Sequence, residues 1–273
     1  MTSSHRVPPL SPQSRPYDLI ICDIDGCLSP EGTAPIHLDH LAKISAYNHE
    51  AVATANAPPI TLCSGRPQPF GEAMCKILGI AQVPCVFENG AWLYRLDTNQ
   101  YELDPSITDQ HLADVQALSR WVSTEFGTPP GTAAERQRTV GVTQQPGKIA
   151  SVSLYHPDTE YLRSLMPALA EQCRRAGWPI RVSMTWLYIN LDLAHISKGT
   201  GLDRLLREAK IPKDRIAGIG DTMSDLPIRE RSAYFACPAN AHEDIKRLAD
   251  YVSPLPEAAG VVDILTRLNT RVA

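Results

Sequence analysis

One run constrains what this chain can fold into more than any other: Tyr17-Asp18-Leu19-Ile20-Ile21-Cys22-Asp23-Ile24-Asp25-Gly26-Cys27-Leu28. A short, continuously apolar segment, Leu19 to Cys22, has the character of a strand buried on both faces, as in parallel sheets. Gly26 punctuates it and starts a turn. Asp23 and Asp25 therefore fall at the carboxyl end of a central strand, where open α/β sheets place their ligands. Two carboxylates that close repel each other unless a cation lies between them or one keeps a proton.

The same alternation recurs along the chain. Strand-like runs at Leu19–Asp23, Ile60–Cys63, Pro84–Glu88, Ile216–Ile219 and Tyr234–Ala236 are separated by helical patterns. Those patterns are His37–Ala51, Gln68–Leu78, Gly199–Ala209, Ser224–Arg231, Ala241–Leu248 and Gly260–Leu268. Strand–helix repetition of this kind predicts an α/β fold, a parallel sheet with helices on both faces. The middle of the chain differs. Ala91–Tyr94 and Tyr101–Leu103 flank Asp97-Thr98-Asn99, which predicts a hairpin, and a helix is expected from Thr108 to Phe126. After a Gly-, Pro- and Thr-rich loop come strands at Arg138–Val142 and Ile149–Tyr155, a helix from Asp158 to Ala176, and strands at Ile180–Ser183 and Trp186–Leu191. This middle part reads as a small α+β domain inserted into the sheet domain. The expected organisation is a flexible leader over 1–16, a parallel-sheet domain over 17–90 and 194–273, and an inserted α/β domain over 91–193.

The bulk properties exclude several classes. The 273 residues, 43% of them hydrophobic, suit a folded protein of one or two domains. The net charge of −4 carries no basic stripe of the kind that binds nucleic acid. No apolar run approaches the ~18 residues needed to span a bilayer. The seven cysteines form no CxxC and several lie inside strand-like runs, as expected for reduced, buried thiols in a cytoplasmic protein.

Four segments carry chemistry, each at a strand end or helix start. They are Asp23-Ile24-Asp25-Gly26; Thr61-Leu62-Cys63-Ser64-Gly65-Arg66; Ile196-Ser197-Lys198-Gly199; and Gly218-Ile219-Gly220-Asp221-Thr222-Met223-Ser224-Asp225. Taken singly, each has an ordinary structural explanation: a turn, a surface lysine, a helix cap. Together they assemble what phosphoryl transfer requires. Mg²⁺ favours a few carboxylates plus water and substrate oxygens. A carboxylate can attack phosphorus, a hydroxyl and an ammonium can hold the equatorial oxygens, and a second carboxyl group can move the proton.

In order and in residue type, these four segments resemble the motifs of the haloacid dehalogenase (HAD) superfamily, in particular its Cof-type sugar-phosphate phosphatases. Glu88-Asn89-Gly90-Ala91, Cys237-Pro238-Ala239-Asn240-Ala241 and Ala249-Asp250-Tyr251-Val252 add to the likeness, which covers about residues 17–269. The resemblance implies a Rossmann-like catalytic core with the inserted domain as its cap, and a Mg²⁺-dependent phosphatase working through an aspartyl phosphate. Asp23 would be nucleophile and Mg²⁺ ligand. Asp25 would be general acid/base, with its backbone carbonyl on the metal. Asp221 would be a direct metal ligand, and Asp225 would act through a water or on Lys198. Ser64, Gly65, Arg66, Asn89, Lys198, Ser224 and Asn240 would hold phosphate or substrate, and Arg136, Arg138 and Lys148 are candidates in the cap. Two positions depart from the family pattern: Cys27 stands where Thr or Val is usual, and Ser224 where Asn is common. The carboxylate at position 25 favours phosphate esters, whose alcohol leaving group needs a proton. A phosphomutase and a non-catalytic metabolite-binding relative remain the alternatives. The partner implied is a small phosphorylated molecule, with no nucleic acid and no membrane, for a monomer or homodimer.

Overall fold

The apolar run Leu19–Cys22 forms an interior strand of the main sheet. The structure, a computed structural model, describes residues 15–127 and 141–270. Strand β1 (Leu19–Cys22) lies between β2 (Ile60–Leu62) and β10 (Ile216–Ile219), followed outward by β11 (Tyr234–Cys237) and β12 (Tyr251–Val252), all parallel. Successive side chains of β1 point to opposite faces, and each face has its own apolar core. Ile20 and Cys22 join one, with Leu41, Ile44, Met74 and Ile264. Leu19 and Ile21 join the other, with Leu202, Leu205 and Ile228. Both faces are covered, which is why the strand is apolar without a break.

Helices α1 (Leu38–Thr54) and α2 (Gln68–Leu78) follow β1 and β2. Because β2 and β10 flank β1 on opposite sides, the chain switches direction across the sheet at the end of β1. Ligands of open α/β sheets bind at such a switch point.

Strand β3 (Cys85–Phe87) was expected within the parallel set. It touches that sheet through one parallel bridge, Cys63 to Val86, and pairs fully with the antiparallel hairpin β4 (Trp92–Arg95) and β5 (Gln100–Leu103). Leu93 and Tyr94 of this hairpin are buried in the two core clusters. The hairpin, read from sequence as part of the insertion, is thus hydrogen-bonded to the core strand before it.

Beyond it come α3 (Asp109–Phe126), then β6 (Thr143–Gln144), β7 (Ser151–Tyr155), α4 (Thr159–Ser164), α5 (Met166–Ala176), β8 (Ile180–Met184) and β9 (Tyr188–Leu193). The strands form a separate antiparallel sheet, ordered β6-β7-β9-β8. Its apolar residues Val152, Leu154, Ile189 and Leu191 pack with Leu118, Val122, Leu162 and Leu169 of the helices. The single helix expected over Asp158–Ala176 is two, because Pro167 lies in the first turn of α5 and cannot continue α4. Trp186, expected in a strand, sits in the turn before β9.

The chain returns to the core with α6 (Lys198–Ala209), α7 (Leu226–Glu230), α8 (Glu243–Lys246) and α9 (Glu257–Thr270). Gly90, at φ +108°, allows the turn after β3 to meet the start of α6: a Cβ there would lie 2.0 Å from the Ser197 carbonyl oxygen. Residues 1–14 of the expected leader lie outside the described residues. Arg15 is held, donating to the Ala55 and Ala57 carbonyls and pairing with Asp18. All seven cysteines are buried and free. Among the described residues, no helix is long and apolar enough to cross a membrane.

Candidate active site

The carboxyl ends of β1 and β10 deliver Asp23 and Asp221 to one point, where Asp225 joins them. Carboxylate oxygens of the three lie within 4.8 Å of one another, all buried. Gly26 makes the close approach possible. It has φ +69°, and a Cβ on it would lie 1.9 Å from Asp221 Oδ2. Asp225 is fixed from two sides: Oδ2 accepts the backbone N–H groups of Asp221 and Thr222, and Oδ1 accepts Lys198 Nζ at 2.6 Å. Lys198 Nζ also stands 3.1 Å from Asp23 Oδ2. As the first residue of α6, Lys198 opposes the helix dipole; the two carboxylates explain why it is tolerated there, nearly buried.

Two oxygens of this cluster, Asp23 Oδ1 and Asp221 Oδ2, are buried without a hydrogen-bond partner. Burial and the negative charge of Asp225 push Asp23 up to about 8, with Lys198 pulling against them and Asp25 adding to the rise. Burial, then Asp225 and Asp23, push Asp221 up to about 10. Lys198 is drawn down by burial, but Asp225 and Asp23 outweigh this and hold its ammonium well above the usual lysine range. A hard divalent cation fits the donor set: it would satisfy both orphaned oxygens and remove the repulsion. The cluster does not include the side chain of Asp25, whose expected share is its backbone carbonyl.

Asp25 faces the cleft and is held by Arg66. The Arg66 Nε lies 2.9 and 2.8 Å from the two Asp25 oxygens, and Nη2 lies 2.5 Å from Oδ1. Delivery of a proton by Asp25 would therefore require Arg66 to release one of these oxygens. Ser64 follows β2, is fully buried and lines the same cleft; its Oγ accepts the Arg66 N–H at 3.2 Å, which leaves the hydroxyl proton available to a ligand. Gly65 keeps room for Asn89, whose Oδ1 would be 2.8 Å from a Cβ at that position.

A cleft of about 770 Å³ joins these groups to the polar face of the β6–β9 sheet. Asn89 donates to Asp192 of β9 at 3.1 Å. Lys148 lines the cleft; Arg136 and Arg138 lie outside the described residues. Ser224 lines the cleft, but its hydroxyl bonds that of Thr222 at 2.8 Å. Asn240 corrects its expected role. Its amide donates to the Gly26 carbonyl and accepts the Glu257 N–H, so both ends brace backbone rather than face a phosphate.

Sequence reasoning missed Ser153, Arg181, Asn190, Asp192 and Glu31, all lining the cleft. The signal for the first four was present in the alternation of Ser-Val-Ser-Leu, Arg-Val-Ser-Met and Asn-Leu-Asp-Leu: the polar members share one sheet face. Glu88 was also missed as a bracing group. Its buried carboxylate accepts the N–H groups of Ile149 and Ala150 at 3.1 and 2.9 Å, and burial lifts it above the usual carboxylate range.

A parallel α/β core carries a buried acid cluster at its switch point, and comparison with known proteins identifies the family. A family model of haloacid dehalogenase-like hydrolases matches residues 136–265. A phosphoglycolate phosphatase of Methanospirillum hungatei is 32% identical over 250 residues, covering 90% of this chain and 94% of its own length. The chain belongs to the haloacid dehalogenase-like hydrolases. In fold it is similar to a haloacid dehalogenase-like hydrolase of Bacteroides thetaiotaomicron (TM-score 0.67, 18% identity, 92% of this chain and 99% of that one). It is also similar to the sucrose-phosphatase of a Synechocystis species (TM-score 0.59, 17% identity, 93% and 98%).

Proposed function

We propose that this protein is a Mg²⁺-dependent phosphatase that hydrolyses a small phosphorylated metabolite, a sugar phosphate or a compound of similar size, through an aspartyl phosphate on Asp23. The observation that carries this reading is the pair of orphaned oxygens on Asp23 and Asp221 beside the Lys198 ammonium, at the floor of a cleft that also holds Ser64 and Asp25. The names of the relatives, phosphatases of phosphoglycolate and of sucrose phosphate, support the reaction class. Seven free cysteines suit a reducing compartment, in keeping with a cytoplasmic enzyme.

Bound Mg²⁺ would supply positive charge to the phosphoryl oxygens and keep Asp23 and Asp221 ionised. Asp23 attacks phosphorus as the ester P–O bond breaks, and Asp25, which takes up a proton from solvent when Arg66 lets go of one oxygen, gives that proton to the departing alkoxide. Ser64 and Lys198 hold the equatorial oxygens, where the transition-state charge lies. Asp25 then takes a proton from the water that attacks the aspartyl phosphate, and Asp23 leaves as carboxylate with inorganic phosphate. The polar sheet face across the cleft would act as the cap that selects the leaving group. Asp23→Asn should abolish phosphate release from a panel of phosphorylated metabolites without unfolding the protein; full turnover by that variant would overturn the proposal.

A further inference from the structure

Five cations line the cleft: Arg66, Lys148, Arg163, Arg181 and Lys198. Four have a carboxylate. Arg66 has Asp25, Lys198 has Asp23 and Asp225, Arg181 has Asp192 at 3.6 Å, and Arg163 has Glu160 at 3.8 Å. Lys148 is different: among the described residues, no carboxylate oxygen lies within 4 Å of its ammonium. Its partner is neutral. Lys148 Nζ donates to Ser153 Oγ at 2.5 Å, and Ser153 donates onward to Asn190 Oδ1 at 2.6 Å. Ser153 and Asn190 are direct neighbours in the β7–β9 register, on the sheet face that looks into the cleft.

We infer that the substrate of this site carries a carboxylate in addition to its phosphate, and that Lys148 is the residue that binds it. The inference rests on the phosphatase reading and names its substrate class. The Ser153–Asn190 chain fixes the ammonium through one of its three N–H groups, since the single Ser153 proton is committed to Asn190. Two donors remain, on a half-buried cation. Burial draws Lys148 below the usual lysine range, and the charge of Arg66 across the cleft acts in the same direction, against Asp192, Glu88 and Asp25. An ammonium held in this way, near carboxylates but in contact with none of them, gains from an anion more than from a hydroxyl. A carboxylate is favoured over a second phosphate on charge. One unpaired ammonium offers one positive unit, and the nearby Asp192 and Glu88 would repel a dianion.

The test compares esters that differ only in the acid. With Mg²⁺ present, kcat/KM is measured for phosphoglycolate against ethylene glycol phosphate, and for 3-phosphoglycerate against glycerol 3-phosphate. The expected result is a preference of about 10- to 100-fold for the acid in at least one pair, the range of a charge-assisted hydrogen bond. Lys148→Met should reduce that ratio at least tenfold, mainly through KM. Lys148→Arg should recover part of it, and Ser153→Ala should lower it by loosening the ammonium. Turnover of all four esters with ratios near one, a ratio untouched by Lys148→Met, or a bisphosphate such as fructose 1,6-bisphosphate outpacing both acids would overturn the carboxylate assignment while leaving the phosphatase reading intact. Phosphate release from glucose 6-phosphate but from neither acid would also overturn the carboxylate assignment, and absence of release from every ester, sugar phosphates included, would overturn the phosphatase reading itself.

Discussion

Replacing Lys198 by methionine should move three properties of the site in directions that no generic destabilisation reproduces. The ammonium sits 2.6 Å from Asp225 and 3.1 Å from Asp23, with all three side chains at most 7% exposed. At an effective dielectric constant near 20, the Asp225 contact is worth about 6 kcal/mol before desolvation is counted, while Asp23, raised to about 8, is largely protonated at pH 7 and adds less. Removing one member of such a buried group typically costs about 3–5 kcal/mol, because the partners keep their burial and lose their counter-charge. The folded-state value of Lys198 is raised, so its stabilisation is complete below the ordinary lysine range and is lost only as pH rises through that higher, alkaline value. Neutral pH is therefore the right condition. Urea unfolding in EDTA at pH 7 should show the midpoint falling by about 1–1.7 M for a slope near 3 kcal/mol/M. Mg²⁺, by contrast, should bind the variant more tightly, by tenfold or more, since a positive charge beside its ligands is gone. Turnover at saturating Mg²⁺ should still fall by about 10²–10³, the usual effect of removing one group that stabilises transition-state charge. A variant within about 1 kcal/mol of wild type, or one that binds Mg²⁺ less tightly, would refute the assignment of Lys198 as the counter-ion of this cluster.

Gly26→Ala should lower Mg²⁺ affinity more than tenfold in a calorimetric titration, because its Cβ would lie 1.9 Å from Asp221 Oδ2 on a backbone at φ +69°. Mg²⁺ at 100 times its Kd should stabilise the protein by about 2.7 kcal/mol, seen as a higher unfolding midpoint that EDTA reverses. Asp23 and Asp221, raised to about 8 and about 10, hold protons near neutrality that the cation must displace. Mg²⁺ affinity should therefore rise with pH from 6 to 8, with proton release visible as a buffer-dependent binding enthalpy. Asp18 lies in the opposite regime. Arg215 depresses it, so its contribution is present above the ordinary carboxylate range and is lost as pH falls through the lowered value. Asp18→Asn should cost no more than about 1 kcal/mol at pH 7, and the two unfolding curves should converge at strongly acid pH.

The core of the site was legible because its residues sit where local pattern changes: an apolar run ending in Asp23, a strand ending in Ser64, a strand ending before Asp221. Lys198 was legible as an anomaly, a cation at the start of a helix, but its partners come from two other segments. Arg66 shows the limit. Its place after Ser64-Gly65 suggested a cleft residue, yet nothing local shows that it grips both oxygens of Asp25, 41 residues away. Asn240 was misread for the same reason, since the backbone groups it braces, at Gly26 and Glu257, are distant in the chain. The break at Leu165 was available from Pro167, whereas the pairing of β3 with the hairpin was not, because its apolar run suits either kind of sheet.

The wall that would choose the substrate is tied to the floor that would perform the chemistry by two consecutive residues. Glu88 holds the amides of Ile149 and Ala150, directly after Lys148, while Asn89 bonds Asp192 through its side chain and the Ser64 carbonyl through its backbone N–H. Both adopt positive φ, +46° and +51°, a conformation that non-glycine residues adopt only when their surroundings hold it. Ser64, proposed above to meet the phosphoryl group, is thus tied through a single strained turn to the segment that carries Lys148. A change in how the β6–β9 sheet sits on the core would move the ammonium and the hydroxyl together. On the proposed reading, selection of the leaving group and placement of the phosphate would be coupled through Glu88 and Asn89.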